Sequence, residues 1–159
     1  MKKAAPTVFN MQIRPIEPKD FGFIRRLAAE FPTFTIPSEY VLWFFTRFHP
    51  DHSRVIEQES GNLKAYLLAM PTSDPPNGIA IWQVAATSPN HAFALEYFTA
   101  YLHELVDLVG AKSISFTTRK DPVTLRLIRS LAKHFFGGAV AELSAVPAGQ
   151  DEYEFRLSI

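Results

Sequence analysis

Ile79-Ala80-Ile81-Trp82-Gln83-Val84-Ala85-Ala86 is the stretch on which the reading of this chain turns. Seven of its eight residues are apolar, and turn-forming residues bound it: Pro75-Pro76-Asn77-Gly78 before, Ser88-Pro89 after. A short apolar run between turn signals reads as a strand central in its sheet, buried on both faces. Its single polar side chain, Gln83, must find hydrogen-bond partners there. Strict alternation would send Trp82 to one layer and Gln83 to the other.

Working outward, Ala94, Tyr97 or Phe98, Tyr101, Leu105 and Leu108 repeat every three or four residues, so a helix follows, with Gly110 as its cap. Lys112 to Thr118 alternates polar with apolar and reads as a strand. Asp121-Pro122 supplies an N-cap and a proline at the first helical position, and the helix it opens runs to Gly137-Gly138. Two last strands, about Ala139 to Val146 and Tyr153 to Ser158, flank a turn at Pro147 to Gln150.

Upstream, Arg54 to Glu59 and Leu63 to Met70 flank the hairpin residues Ser60-Gly61-Asn62, and Pro71 to Gly78 forms a reversing loop. Met11 to Ile16 reads as a short strand and Pro18 to Phe31 as a helix stopped by Pro32. A second helix is expected from the N-cap Ser38 to Phe48, burying Val41, Phe44, Phe45 and Phe48. Met1 to Asn10 is read as a loose tail, and residues 11–159 as one domain. The order is β-α-α-β-β-β-α-β-α-β-β. It describes an α/β (α+β) mixed sheet, antiparallel in its first half, with helices on both faces.

The totals narrow the function. A chain of 159 residues, 47% of them apolar, suits a single core. Sixteen basic residues balance sixteen acidic ones, so no net field favours nucleic acid or an anionic membrane as partner. The absence of cysteine excludes disulfides, thiolate metal sites and a cysteine nucleophile. Met1 to Asn10 has no apolar core of a signal peptide, and no apolar run reaches bilayer-spanning length, so a cytoplasmic protein is the expectation.

This order, with Ile13-Arg14-Pro15 through Lys19-Asp20 opening it, resembles the GNAT superfamily of acyl-CoA N-acyltransferases. Trp82-Gln83-Val84-Ala85-Ala86 is similar to the central-strand motif of its diaminobutyrate acetyltransferase subgroup. Ser38-Glu39-Tyr40 with Phe48-His49 is similar to the same subgroup. So is Thr117-Thr118 followed by Asp121, Thr124 and Arg129-Ser130-Leu131-Ala132. The resemblance implies transfer of an acetyl group from acetyl-CoA, the co-substrate, to a small amine or amino acid, without a metal. It implies that Val84, Ala85 and Ala86 hold the pantetheine arm. The turn and helix start that follow, with His91, Ala92, Ala94 and Leu95, would hold the pyrophosphate, and Asp121 would border the cofactor. Trp82, Gln83 and Tyr40 become candidate acceptor contacts, with core packing the competing role for Trp82. The partner expected is a small-molecule amine, and a homodimer is compatible with the fold.

The pyrophosphate loop departs from the family. The usual (Gln/Arg)-x-x-Gly-x-(Gly/Ala), with a further Gly after the first residue, is here held by His91, Ala92, Ala94 and Glu96, and no glycine lies between Gly78 and Gly110. A Glu96 carboxylate about 5 Å from a phosphate charge would cost ~3 kcal/mol at an effective dielectric of about 20. Ser88-Pro89 could also start the helix early and consume the loop. Ile128 stands where many family members carry a tyrosine acid, and the sequence names no catalytic residue. These departures motivate an alternative: a GNAT-fold binding or dimerisation module that no longer acetylates. His49-Pro50-Asp51-His52 lacks a third ligand at metal-site spacing and reads as a solvated loop. Arg126, Arg129 and Lys133 read as a solvated helix face.

Overall fold

Local signals close the elements where the sequence places them. The computed structural model describes residues 10–73, 75–88, 90–119, 121–145 and 152–159. The expected tail (but for Asn10) and the turn at Pro147 to Gln150 lie outside the described residues. Strand β1 (Met11–Pro15) leads through a 3-10 turn (Pro18–Asp20) into helix α1 (Phe21–Ala29). Helix α2 (Glu39–Phe48) starts where the Ser38 hydroxyl accepts the Val41 N–H at 3.2 Å. Strands β2 (Arg54–Gln58), β3 (Leu63–Ser73) and β4 (Pro76–Ala86) follow, with Gly61 at φ 87° in the first hairpin. Helix α3 (His91–Val109) ends on Gly110 at φ 65°. Strand β5 (Ser113–Thr118) precedes α4 (Pro122–Leu131), which continues as a π-helical turn (Ala132–Phe136) to Gly137. Strands β6 (Val140–Ala145) and β7 (Tyr153–Ser158) complete the expected order.

Among the described residues these strands form one sheet in the order β1-β2-β3-β4-β5-β7-β6. Every pair is antiparallel except β4 with β5. Two cores cover it. One packs α3 and the π-turn against Ile56, Leu67, Ile79 and Ile114. The other packs α1 and α2, through Ile24, Leu27, Leu42 and Phe45, against Val55, Tyr66 and Leu68.

Two expectations change and one alternative closes. The reversing loop shrinks, because β3 and β4 pair as far as Ser73 with Pro76. Gly78 permits that approach: a Cβ there would lie 2.3 Å from Thr72 Oγ1 and 2.8 Å from Ser113 Oγ. The buried stripe of α2 is Leu42 and Phe45 with Val41 half-buried, whereas Phe44 and Phe48 face solvent. Apolar residues occupy most of α2, so periodicity alone could not choose which side meets the sheet. Finally, α3 begins at His91 and not at Ser88, leaving a turn in which the Asn90 N–H donates to the Thr87 carbonyl at 2.7 Å.

Candidate functional site

Parallel pairing of β4 with β5 runs from Gly78–Ser113 to Ile81–Phe116 and stops. Beyond that point β4 continues for five residues, Trp82 to Ala86, bonded only to β3. Strand β5 continues through Thr117 and Thr118, bonded only to β7. The two strands therefore splay.

The cause is a β-bulge. Leu68 pairs with Gln83 and Ala69 with Ile81, so Trp82 is an extra residue on β4 with no partner on β3. A bulge bends its strand and raises local twist, which carries the end of β4 away from β5. It also breaks the side-chain alternation, a correction to the expectation that Trp82 and Gln83 face opposite layers. Trp82 stacks on Phe45 of α2 at 5.6 Å between ring centroids. Gln83 turns to the same layer, where its carbonyl accepts the Tyr66 hydroxyl at 3.1 Å and its amide donates to the Thr35 carbonyl at 2.6 Å. Gln83 is 6% exposed and thus satisfied on both ends of its amide. Burial holds the Tyr66 hydroxyl far above its ordinary pKa, so it stays protonated as the donor.

The free edge of β4 follows from its bonded edge. The Thr87 N–H donates to the Lys64 carbonyl next to β3 at 2.8 Å. Backbone groups alternate between the two edges of a strand, so the N–H and C=O of Ala86 and Val84 point into the splay. A cavity of about 730 Å³ fills it. On the α3/α4 side its walls include His91, Ala92, Leu95 and Thr124, and on the α1/α2 side Phe31, Thr33, Phe34 and Thr35. The space thus passes through the sheet at the point of divergence and is reached from both layers.

The start of α3 lies at this cavity. The helix's first internal bond is Ala94 N–H to the Asn90 carbonyl at 2.8 Å. The amides of His91, Ala92 and Phe93 precede that bond, so they have no intrahelical acceptor and give the helix start its positive end. Across the gap, Asp121 caps α4, accepting the N–H groups of Val123 at 3.3 Å and Thr124 at 3.1 Å as well as the Thr124 hydroxyl. Those bonds, the hydroxyl's first, hold its carboxyl below the ordinary value.

Of the residues singled out by sequence, Trp82, Gln83, Val84, Ala85, Ala86, His91, Ala92, Ala94, Leu95 and Asp121 all line this cavity. Tyr40 does not: its ring is 69% exposed on α2, beside Trp43 at 5.9 Å. Glu96 does not either. It is exposed on the second turn of α3, outside the residues that line the cavity. Ile128 does line the cavity, half-buried. The α1–α2 loop at Phe31 to Thr35 went unread because loop residues carry no periodic signal. Arg119 and Glu152, also in the lining, lacked any sequence cue.

Two other clusters lie apart from this cavity. At the His49 to His52 corner the Tyr101 hydroxyl donates to the Asp51 carbonyl, and the Arg54 guanidinium sits 4.7 Å from the Tyr101 ring centroid. A second depression, near 650 Å³, is lined by Arg14, Asp20 and Glu57 among others. These three satisfy one another, Arg14 donating to Asp20 at 2.7 and 2.9 Å and to Glu57 at 2.6 Å.

No family model matches the sequence, and no curated protein matches it. Solved structures do. Diaminobutyrate acetyltransferase EctA from Paenibacillus lautus, in complex with L-2,4-diaminobutyric acid and coenzyme A, is similar with a TM-score of 0.77 at 20% identity, over 94% of this chain and 95% of that one. Ard1 from Thermoplasma volcanium has a TM-score of 0.73 at 16% identity, over 94% and 98%. Spermidine/spermine N-acetyltransferase SpeG from Vibrio cholerae has a TM-score of 0.64 at 16% identity, over 94% and 91%. At these identities the likeness is one of fold. Element order, the single parallel seam and its splay agree with it: the chain has the fold of the GNAT N-acetyltransferases.

Proposed function

We propose that this chain transfers an acetyl group from acetyl-CoA to a small amine or amino acid. The observation that carries the proposal is the splay beyond Ile81 and Phe116, which leaves unpaired backbone groups of Val84 and Ala86 facing a cavity open to both layers. The pantetheine arm of the donor is an extended chain with two amides, able to bond that edge as a missing strand would. Its pyrophosphate then meets the free amides at the start of α3, where the helix dipole favours an anion. The likeness to EctA, whose structure holds coenzyme A and L-2,4-diaminobutyric acid, supports a CoA donor and a small amino-acid acceptor.

With the thioester near the point of divergence, an amine arriving from the α1/α2 side reaches its carbonyl carbon. The new N–C bond forms, the C–S bond breaks, and the amine proton leaves as the sulfur gains one. Among the described lining side chains, His91, Asp121 and Glu152 can accept a proton. Asp121 is committed to the α4 cap and His91 stands at the pyrophosphate end, which leaves Glu152 or solvent water as the acceptor. Ile128 donates nothing, so the thiolate is protonated from solvent. Among the described residues no helix is long and apolar enough to cross a membrane.

Calorimetric titration with acetyl-CoA tests the proposal. Saturable binding is expected, with a rise in thermal stability, because a ligand at a hundred times its Kd adds ~2.7 kcal/mol. Absence of both heat and stabilisation at millimolar donor would overturn it and leave the fold as a non-catalytic module.

A further inference from the structure

Helix α2 buries one side and leaves the other as a sheet of aromatic rings. Tyr40 is 69% exposed, Trp43 45%, Phe44 41% and Phe48 55%, and Ile36 just before the helix is 48% exposed. The rings touch one another: Tyr40 on Trp43 at 5.9 Å, Trp43 on Phe48 at 5.9 Å, and Phe44 on Phe48 at 4.8 Å between centroids. Isolated exposed apolar residues need no explanation, but a contiguous aromatic patch marks a contact surface.

We infer that this face of α2 is a two-fold interface with a second copy of the chain, the two α2 helices packing antiparallel about Trp43. Charge placement carries the argument. Helix α2 holds one acidic residue in its first turn, Glu39, and one basic residue in its last, Arg47. Each is four positions from Trp43, on either side. At 100° per residue both therefore lie within about 40° of the Trp43 direction, on the outward side. An antiparallel copy with Trp43 on the axis sets Glu39 of each chain opposite Arg47 of the other, twice, whereas a parallel arrangement sets like against like. Glu39 is otherwise approached by Arg25 only at 3.9 Å.

Area agrees. Four rings about half exposed, at roughly 200 Å² each when buried, give about 400 Å², and Ile36 brings the patch to about 500 Å² per copy. Two copies then cover about 1,000 Å², the lower bound for a specific association. The residue types, tyrosine, tryptophan and phenylalanine with one arginine, are those enriched at protein contacts. A lipid surface fits less well, because a membrane-lying helix needs a lysine- and arginine-rich polar face, and the opposite side of α2 is buried core. The interface also reaches the cavity: Phe45, on the buried side of the same helix, carries the stack on Trp82.

Sedimentation of the full chain between about 1 and 100 µM tests this inference independently of acetyl transfer. A monomer–dimer equilibrium in that range is expected. Trp43→Ser should raise the dimer Kd at least 100-fold, with an unchanged circular dichroism spectrum as the folding control. Arg47→Glu should raise it about 10-fold, and adding Glu39→Arg should restore it by exchanging the charges across the axis. A wild-type monomer at 100 µM overturns the inference, as does a dimer indifferent to Trp43→Ser or a double variant no better than Arg47→Glu. Binding of a monomeric wild-type chain to phosphatidylcholine/phosphatidylglycerol vesicles also overturns it and assigns the patch to a lipid surface.

Discussion

The two halves of β4 share one backbone and similar side chains, yet they face β5 differently. From Gly78 to Ile81 the strand is bonded on both edges. From Trp82 to Ala86 it is bonded on one edge only. Nothing in hydrophobicity separates Ile79-Ala80-Ile81 from Val84-Ala85-Ala86. What separates them is one extra residue in register, Trp82, and the layer it packs into. The lower half is a structural seam, and the upper half offers the same backbone groups to a ligand. A binding edge in a sheet can thus be made without altering composition, by moving one strand's path.

Proline substitutions would break this comparison most sharply. The Ala85 N–H lies on the β3 edge, so Ala85→Pro removes a ladder bond inside the sheet and should destabilise the fold by ~3 kcal/mol in urea unfolding. The Ala86 N–H faces the splay, so Ala86→Pro should cost much less stability. It should instead weaken acetyl-CoA binding about tenfold through loss of one donor. Equal stability losses in the two variants would mean that the edge assignment is wrong.

In the lower half, Gly78→Val drives a side chain into Thr72 and Ser113 on the flanking strands. About 2–3 kcal/mol should be lost, with donor affinity per folded molecule unchanged. The bulge itself is probed by Gln83→Leu, which leaves the Tyr66 hydroxyl and the Thr35 carbonyl without their partner. A loss of roughly 1–2 kcal/mol is expected from unfolding curves, together with a raised KM for the amine as the α1–α2 loop loosens.

The smallest effect concerns the far wall. Asp121 titrates lower when folded than when unfolded, so its contribution to stability is complete above the unfolded value near 3.8 and disappears as pH falls through the folded one. Asp121→Asn should flatten the stability profile below about pH 5, read from urea midpoints, while retaining a cap at α4. An unaltered profile would show that the Thr124 bonds do not hold the carboxylate in solution.

Most of the architecture was legible because its signals are local. Ser38, Asp121-Pro122, Gly61 and Gly110 each fix a helix or hairpin boundary through their own backbone preferences or side-chain oxygens, whatever packs around them. The strand containing Trp82 to Ala86 was legible for the same reason, as an apolar run between turns. The length of the β3–β4 hairpin was not, since two prolines signalled a loop where the strands pair almost to their tips.

The sequence by itself determined the element order and the central strand. Only the tertiary structure decided that Trp82 is bulged, that Gln83 shares its layer, and that Phe44, Phe48 and Tyr40 are left outside. It also decided that α3 starts at His91, which carries Glu96 past the cavity. The physical reason is the range of the forces involved. Caps, turns and periodicity act over a few residues, whereas strand register and the choice of a buried helix face are settled by contacts between segments far apart in the chain.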